Sequence, residues 1–196
     1  QLTGPIPPEI GNLASLNNLD CNWNQQSGTI PPEIGNLASL NYLRLGDNRL
    51  EGPIPPAFGN MGELRELDLW GNQLTGPLPS ELGNLANLVV LSVDRNQLSG
   101  SLPTELGNLA NLNWLNLESN DFTGQIPPEL GASPNLTSVR LNHNQLSGPI
   151  PPEIGSLSNL ESLDLSGNQL QFVLYVFAAE QLDQTDGVVR GDEPLG

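Results

Sequence analysis

Apolar side chains recur along residues 2–170 with a period of 24 residues, and each period follows the pattern L-x-x-L-x-x-L-x-L-x-x-N. One row holds Leu85, Leu88, Leu91, Val93 and Asn96 at these positions. The x-L-x-L-x alternation predicts a short strand with one buried face. The N-x-L-x-G-x-I-P stretch that follows predicts a turn punctuated by proline. A unit of this size cannot bury its own leucines, so the pattern predicts units stacked around a continuous core.

The repetition is close enough that residues 6–17 and residues 30–41 share the phrase IPPEIGNLASLN. Columns of Asn, Gly, Leu and Pro persist through seven rows without exception. An inward-pointing amide can both donate to and accept from the backbone groups of the turn after each strand, so we predict a structural role for the Asn column. Its members are Asn24, Asn48, Asn72, Asn96, Asn120, Asn144 and Asn168.

The full pattern, LxxLxxLxLxxNxLxGxIPxxLG over residues 2–170, resembles the plant-type leucine-rich repeat. The resemblance implies an α/β repeat solenoid, which is a curved leucine-rich-repeat array with a concave parallel β-sheet and convex 3₁₀ helical and loop segments. It also implies a second short strand at each Ser/Thr-Gly step, such as Thr75-Gly76. Ectodomains of receptor kinases and receptor-like proteins are built from this repeat, which implies a recognition module.

The pattern divides the chain into three parts. Residues 1–170 form the predicted solenoid, which starts in mid-repeat, and we expect the chain to be a piece of a longer protein. Residues 171–182 leave the repeat register and carry consecutive apolar side chains, so we predict that they close the end of the core. A truncated membrane-proximal segment and an unrelated extension are the alternatives for them. Residues 183–196 are polar and acidic, and we predict a disordered tail.

Charge argues against two classes of partner. The net charge is −16, from 22 acidic residues against 6 basic ones, all of which are arginine. Nucleic acid needs a basic footprint, and anionic membrane surfaces attract basic segments, so we predict neither partner. No apolar run reaches the roughly 18 residues of a membrane span, so we predict no membrane insertion. The single cysteine, Cys21, occupies a leucine column and is predicted to be a core residue. No cofactor or metal is predicted.

Side chains alternate along a strand, so residues 18, 20 and 22 and their equivalents in later rows should face the concave side, with position 23 beside them. These positions vary from row to row while the core columns do not, as expected of a binding site on a rigid support. Trp, Tyr and Arg are the usual anchors of a protein interface. The predicted ligand-binding residues are Trp23, Tyr42, Arg65, Trp70, Arg95, Trp114, Arg140 and His143.

Charges on this face can be sorted by row, because neighbouring strands lie about 4.8 Å apart. Opposite charges in one column should form cross-strand pairs that neutralise each other. The predicted groupings are Asp20–Arg44–Asp68 and Arg140–Asp164. Arg65 and Arg95 have uncharged neighbours in their columns, so we predict that these two arginines receive a ligand carboxylate.

The sequence predicts a protein that is not an enzyme. Glu66 and Asp68 face the same side and could in principle act as acid and base. We expect no cleft that would raise the pKa of either carboxyl group, so a solvated face is the favoured interpretation. The predicted function is therefore recognition of a peptide or protein partner on the concave sheet, with a co-receptor as a candidate second partner. The resemblance implies an extracellular or cell-surface location, and the sequence leaves a cytoplasmic one open.

Three alternatives stay open at this level. A soluble inhibitor similar to the polygalacturonase-inhibiting proteins would use the same sheet, although those proteins carry terminal cysteine caps that this chain lacks. An intracellular scaffold is compatible with the cysteine-poor composition. An ice-binding protein is the third, motivated by a column of hydroxyl side chains that Glu51 interrupts. That column holds Thr3, Ser27, Thr75, Ser99, Thr123 and Ser147. Asn135, in the sequon Asn-Leu-Thr, is a glycosylation candidate in a secreted chain.

Overall fold

The computed structural model describes residues 1–171, and this part of the chain is a single stack of coils. Each coil after the first turn contributes a three-residue strand to a seven-stranded parallel sheet. Neighbouring strands pair one full period apart, as Tyr42 does with Glu66. The strands of this seven-stranded sheet are Asn18–Asp20, Tyr42–Arg44, Glu66–Asp68, Val90–Ser92, Trp114–Asn116, Ser138–Arg140 and Ser162–Asp164.

A second parallel sheet has eight strands, and all but the first begin directly after a member of the Asn column. Paired residues in this sheet are two positions closer in sequence than those in the seven-stranded sheet. For example, Ser27 pairs with Arg49 and Thr75 pairs with Gln97. The glycine of the Ser/Thr-Gly step takes a left-handed φ, 81° at Gly76, a conformation that side chains disfavour. The strands of this eight-stranded sheet are Thr3–Gly4, Gln25–Thr29, Arg49–Gly52, Gln73–Gly76, Gln97–Ser101, Asp121–Gly124, Gln145–Pro149 and Gln169–Gln171.

Short 3₁₀ segments complete each coil. Each begins after a proline in an extended conformation, such as Pro31 with φ −69°, and most have a glutamate in the first turn. A carboxylate at that end is favoured by the partial positive charge of the free N–H groups. The segments are Pro8–Asn12, Pro32–Asn36, Pro56–Asn60, Ser80–Asn84, Thr104–Asn108, Pro128–Ala132 and Pro152–Ser156.

Apolar side chains from successive coils form one continuous core, which runs from Ile6 to Leu157. Its largest fully buried members are Phe58 and Phe122. Cys21 packs against this core and is half-buried. Burial raises the pKa of the Cys21 thiol, and the nearby Asp20 carboxylate raises it further, which keeps the thiol protonated and unreactive.

The Asn column lies between the two sheets and bonds neighbouring coils together. Asn96 is buried, and its Oδ1 accepts from the backbone N–H of Leu74 at 3.0 Å. Its Nδ2 donates to the carbonyl oxygens of Val93 and Leu69, each at 3.0 Å. Every member of the column accepts from the residue 22 positions earlier and donates to the residue three positions earlier.

The predicted fold class is confirmed, because parallel strands, a second sheet and 3₁₀ segments all recur with the repeat. Gln171 belongs to the last strand, one residue beyond the predicted solenoid boundary. The rest of the predicted cap, up to residue 182, and the predicted tail over 183–196 lie outside the described residues. Within residues 1–171, none of the helical segments has the length and apolarity that a bilayer crossing requires.

Candidate functional site

The outer face of the seven-stranded sheet carries the aromatic residues predicted from the sequence. Tyr42 and Trp114 lie in one column of this face, three strands apart, and Trp70 lies in another. Tyr42 is exposed, whereas Trp70 and Trp114 are half-buried. Some positions of this face are buried, although the alternation along each strand directs all of them outward. The buried members of this face are Gly46, Asp94, Asn116, Ser138 and Asn142.

Trp23 and Trp70 form an aromatic pair that spans three coils. Their ring centroids are 4.8 Å apart with an interplanar angle of 71°, an edge-to-face arrangement. The pair requires Gly46 in the coil between them, since a Cβ there would lie only 2.4 Å from Nε1 of Trp70. Trp23 itself is 66% exposed, so one tryptophan of the pair is largely open to solvent.

Gly46 is a residue that the sequence analysis missed as a member of this site. Its signal is visible in the sequence, because a glycine precedes a tryptophan by one period in the same column. A large side chain on one strand often needs a small one on the next, since outward side chains of neighbouring parallel strands stand side by side.

Trp23 and its equivalents at intervals of one repeat all have a left-handed backbone conformation, which the sequence analysis also missed. Trp23 has φ 59° and His143 has φ 54°, and the same column includes Gly71 and Gly167. Non-glycine residues rarely adopt this conformation, and for a bulky one it is an outlier. Glycine at two rows of the column was the available signal. His143 is exposed and lies three coils away from Trp70, so the structure does not bring the two together.

The predicted grouping of Arg44 with Asp20 and Asp68 is correct for Asp20 and wrong for Asp68. Nε and Nη2 of Arg44 donate to the two carboxylate oxygens of Glu66, each at 2.6 Å, and Asp20 lies 3.6 Å away. The hydrogen bond with Glu66 raises the pKa of Arg44. Arg44 pairs with Glu66 because Glu66 lies on the next strand, in the column beside that of Arg44, and its carboxylate can form a bidentate pair. Asp68 instead accepts from Nδ2 of Asn22 at 3.2 Å.

The predicted pair between Arg140 and Asp164 is also wrong, since no ion pair joins these two residues. The guanidinium of Arg140 lies over the indole of Trp114, 5.0 Å from the ring centroid. The Asp164 carboxylate accepts from the hydroxyl and the backbone N–H of Ser166, which lower its pKa. An aromatic face beside an arginine competes well with an exposed carboxylate, because a surface ion pair contributes little.

Arg95 and Arg65, the predicted receivers of a ligand carboxylate, have different surroundings. Arg95 lies 3.9 Å from the Asp94 carboxylate, an acidic neighbour that the column comparison overlooked because the two residues are adjacent in sequence. Arg65 is exposed and forms no ion pair within residues 1–171. It lies at the flank of the sheet and lines a shallow depression of about 480 Å³ with Val89 and several asparagines.

Asn135, the glycosylation candidate, lines that same flank depression and is exposed. Its Nδ2 donates to the carbonyl oxygen of Ala110 at 2.8 Å, so the side chain also bonds one coil to the previous one. Nothing in this geometry bears on whether a glycan is attached, and glycosylation stays a prediction.

Two carboxyl groups of the seven-stranded sheet have raised pKa values, contrary to the expectation that this face is simply solvated. Burial raises the pKa of Asp68, and the hydrogen bond from Asn22 offsets this in part. Burial likewise raises the pKa of Asp94, which accepts from the Ser92 hydroxyl at 2.7 Å. The sequence gives no sign of this burial, because alternation along the strand predicts outward side chains at both positions.

An open depression of about 420 Å³ lies between Trp70 and Trp114 on this sheet. Val90 and Ser92 belong to the strand between the two tryptophans and line it. Glu66, Asp68 and Asn113 complete the lining. The depression therefore combines aromatic and aliphatic walls with carboxylate groups, a composition suited to holding an extended side chain with a polar or charged end.

Family models of leucine-rich repeats match most of the chain. A "Leucine rich repeat" model matches residues 62–122, a "Leucine Rich repeats (2 copies)" model matches residues 134–174, and a "Leucine Rich Repeat" model matches residues 15–37 and 39–61. Among curated proteins no relative matches.

Solved structures of plant receptor ectodomains have similar folds. The ectodomain of GASSHO1/SCHENGEN3 from Arabidopsis thaliana, in complex with CASPARIAN STRIP INTEGRITY FACTOR 2, is 44% identical over 87% of this chain, with a TM-score of 0.84. The Arabidopsis receptor kinase HAESA, in complex with the peptide hormone IDA and the co-receptor SERK1, is 39% identical over 87%, also with a TM-score of 0.84. The chain spans only 20% and 28% of these two structures.

A plant ice-binding protein is also similar, at 31% identity over 86% of this chain and 70% of that one, with a TM-score of 0.66. Receptor ectodomains and an ice-binding protein therefore share the same repeat architecture.

Proposed function

This chain belongs to the leucine-rich repeat family, and from that premise we propose that it is a non-catalytic recognition module, which binds a peptide or protein partner on the outer face of its seven-stranded sheet. One observation carries the proposal: Tyr42, Trp70 and Trp114 all lie on this face, while the core beneath is filled by aliphatic residues and phenylalanines. Aromatic side chains on a rigid support are the typical anchors of an interface.

The HAESA ectodomain described above supports a peptide as the partner, since it is in complex with a peptide hormone. By the same analogy we propose an extracellular or cell-surface location and a co-receptor as a second partner. Seven strands spaced about 4.8 Å apart span roughly 29 Å, which matches about nine residues of an extended peptide. Trp23, Tyr42, Trp70 and Trp114 are the proposed contacts, with Arg65, Arg95, Arg140 and His143 at the margins.

The geometry gives no support to acid–base catalysis by Glu66 and Asp68. Both carboxylate oxygens of Glu66 accept from Arg44, so both are already engaged within the chain. With Glu66 so engaged, the candidate acid–base pair is reduced to Asp68 alone.

A soluble inhibitor would use the same face, and the experiment below applies to it equally. An intracellular scaffold is likewise a protein-binding alternative. Ice binding would use the eight-stranded sheet, and its register argues against that function. Thr75 pairs with Gln97 and Ser27 pairs with Arg49, so the hydroxyl groups do not stand opposite one another in a row. Thermal hysteresis of the purified chain would contradict the recognition proposal.

The test is selection of a random peptide library, about nine residues long, on the purified chain. We expect Trp70→Ala and Trp114→Ala each to weaken the selected peptides by about 2 kcal/mol, or roughly thirtyfold, as for interface hot spots. Thr75→Ala, on the eight-stranded sheet, is the control and should leave binding unchanged. Full affinity in both tryptophan variants, with loss in the control, would contradict the proposal.

A further inference from the structure

Two aromatic rings of the seven-stranded sheet each have the guanidinium group of an arginine of the same chain stacked over them. Arg44 lies over Tyr42, 5.2 Å from the ring centroid, and Arg140 lies over Trp114 at 5.0 Å. Such contacts are attractive because a cation interacts with the negative face of the ring. Trp70 differs from both, since within residues 1–171 no arginine stacks on its ring and its ring neighbour is the indole of Trp23.

Trp70 has two aspartates close by in the repeat. Asp68 lies two residues before it, at the end of the strand Glu66–Asp68, and Asp94 is its equivalent in the next coil, where the N–H of Gly71 donates to the Asp94 carbonyl oxygen at 2.9 Å. Oδ1 of Asp68 is buried and has no hydrogen-bond donor in the described part of the chain. Burial is the main cause of the raised pKa of each aspartate, and repulsion adds to it, from Glu66 and Asp94 on Asp68 and from Glu118 on Asp94.

The arginines nearby do not balance this charge. Arg140, which lies over Trp114, belongs to the strand beyond Trp114 and does not line the depression. Arg44 is held by Glu66 in a bidentate pair and by Asp20. Arg95 approaches Asp94 only to 3.9 Å, and its side chain is 65% exposed, so water screens the attraction. The depression between Trp70 and Trp114 therefore has a net negative lining beside two aromatic walls.

We infer that this depression receives a lysine or arginine side chain of an extended peptide, an inference that rests on the proposed function. The aliphatic stem would pack on Val90 and between the two indoles, and the cationic end would reach Asp68 beside the face of Trp70. Lysine and arginine bury their stems on apolar surface while their heads bind charged groups. The preference is the reverse of the sequence expectation, in which arginines on this face receive a carboxylate.

The test uses the same random peptide library on the full chain. Peptides that depend on Trp70 should be enriched in Lys or Arg at one position, and replacing that residue with norleucine or citrulline should weaken them about tenfold or more. Asp68→Asn should produce a similar loss, and Glu129→Gln, the same charge change on a 3₁₀ segment, should not. Asp94→Asn is a second variant in case Asp68→Asn lowers the thermal midpoint.

The outcomes separate this inference from the function on which it rests. Peptides that require Trp70 and Trp114 but show no basic preference, or bind Asp68→Asn and Asp94→Asn as well as the parent, would overturn the inference and leave the proposed function standing. Failure to select any peptide that depends on this sheet would overturn both.

Discussion

The seven-stranded sheet and the eight-stranded sheet are built by the same 24-residue repeat and present different surfaces. On the eight-stranded sheet the outward side chains are mostly glutamine, serine and threonine, and adjacent rows bond to each other, as Gln25 does to Gln1 at 2.7 Å. On the seven-stranded sheet the outward side chains change from row to row, and contacts reach across several coils, as between Trp23 and Trp70.

The difference shows where a repeat protein can hold specific chemistry. The Asn column fixes the backbone of both sheets through hydrogen bonds that do not depend on the outward side chains. The seven-stranded sheet can then vary its surface, including buried carboxylates with raised pKa values, without altering the framework. A rigid framework carrying a variable face is the arrangement by which loops and scaffolds elsewhere display binding residues.

The largest expected effect comes from breaking the framework that both sheets share. Asn96→Leu leaves the buried Leu74 N–H without its acceptor, whereas the Leu69 and Val93 carbonyl oxygens keep a side-chain donor from Asn72 and Asn120. We expect the free energy of unfolding to fall by about 1–3 kcal/mol, which is the cost of one orphaned buried group. Denaturant titration measures this.

The control for that variant is Asn87→Ala, in the same repeat. Asn87 is exposed and donates a single bond, to the Gly62 carbonyl oxygen at 2.9 Å. Its loss should cost less than about 0.5 kcal/mol, as for most surface changes. Equal denaturation midpoints for Asn96→Leu and the parent chain would rule out the structural role of the column.

A smaller effect should follow from breaking only the seven-stranded face. Gly46→Ala places a Cβ where Nε1 of Trp70 lies, and the indole must move. We expect the exciton couplet of the Trp23–Trp70 pair to disappear from the circular dichroism spectrum, with an unfolding free energy lowered by about 1 kcal/mol, because a flexible side chain can shift.

Gly62→Ala is the matched glycine control, since a Cβ there meets no atom within 4 Å. That variant should keep the couplet. Persistence of the couplet in Gly46→Ala would show that the tryptophan pair does not depend on the glycine between the rings.

The smallest expected effect concerns pH. The pKa of Asp68 is raised in the folded chain by burial, so the folded state binds this proton more tightly than the unfolded state does. Stability from this group is therefore present at low pH and falls as pH rises through the folded pKa. We expect Asp68→Asn to gain stability relative to the parent at neutral pH and to lose that gain below the usual aspartate pKa, measured by thermal melts.

Glu129→Gln, an exposed acid on a 3₁₀ segment, controls for the overall negative charge in that comparison. An Asp68→Asn advantage that is the same at both pH values would contradict the burial of an uncompensated carboxylate.

Much of the framework was predictable from the sequence, because it follows from columns that repeat. Leucines at fixed spacing predicted the short strands, and the Ser/Thr-Gly step with its family resemblance predicted the second sheet. The two-residue stagger of that sheet was not predictable, since periodic columns suggest that equivalent residues stand opposite each other. In the structure Thr75 instead faces Gln97.

The surface was predictable only in outline. Alternation along the strand correctly assigned Tyr42, Trp70 and Trp114 to the outer face, but not which partner each charged residue selects. Arg44 bonds Glu66 in a neighbouring column, and Arg140 lies on Trp114, because long side chains reach diagonally across strands. A comparison of residues one repeat apart considers only side chains in the same column. It therefore cannot predict diagonal contacts between columns or the burial that these contacts cause.

The most direct test of the central claim is a nitrogen–proton spectrum of the chain as a selected peptide is added. The sequence contains three tryptophans, so each indole N–H can be assigned and followed. We predict that the signals of Trp70 and Trp114 shift together with saturation, while the amides of Thr75 and Gln97 stay in place. Shifts confined to the eight-stranded sheet, with all three indoles unchanged, would contradict the account.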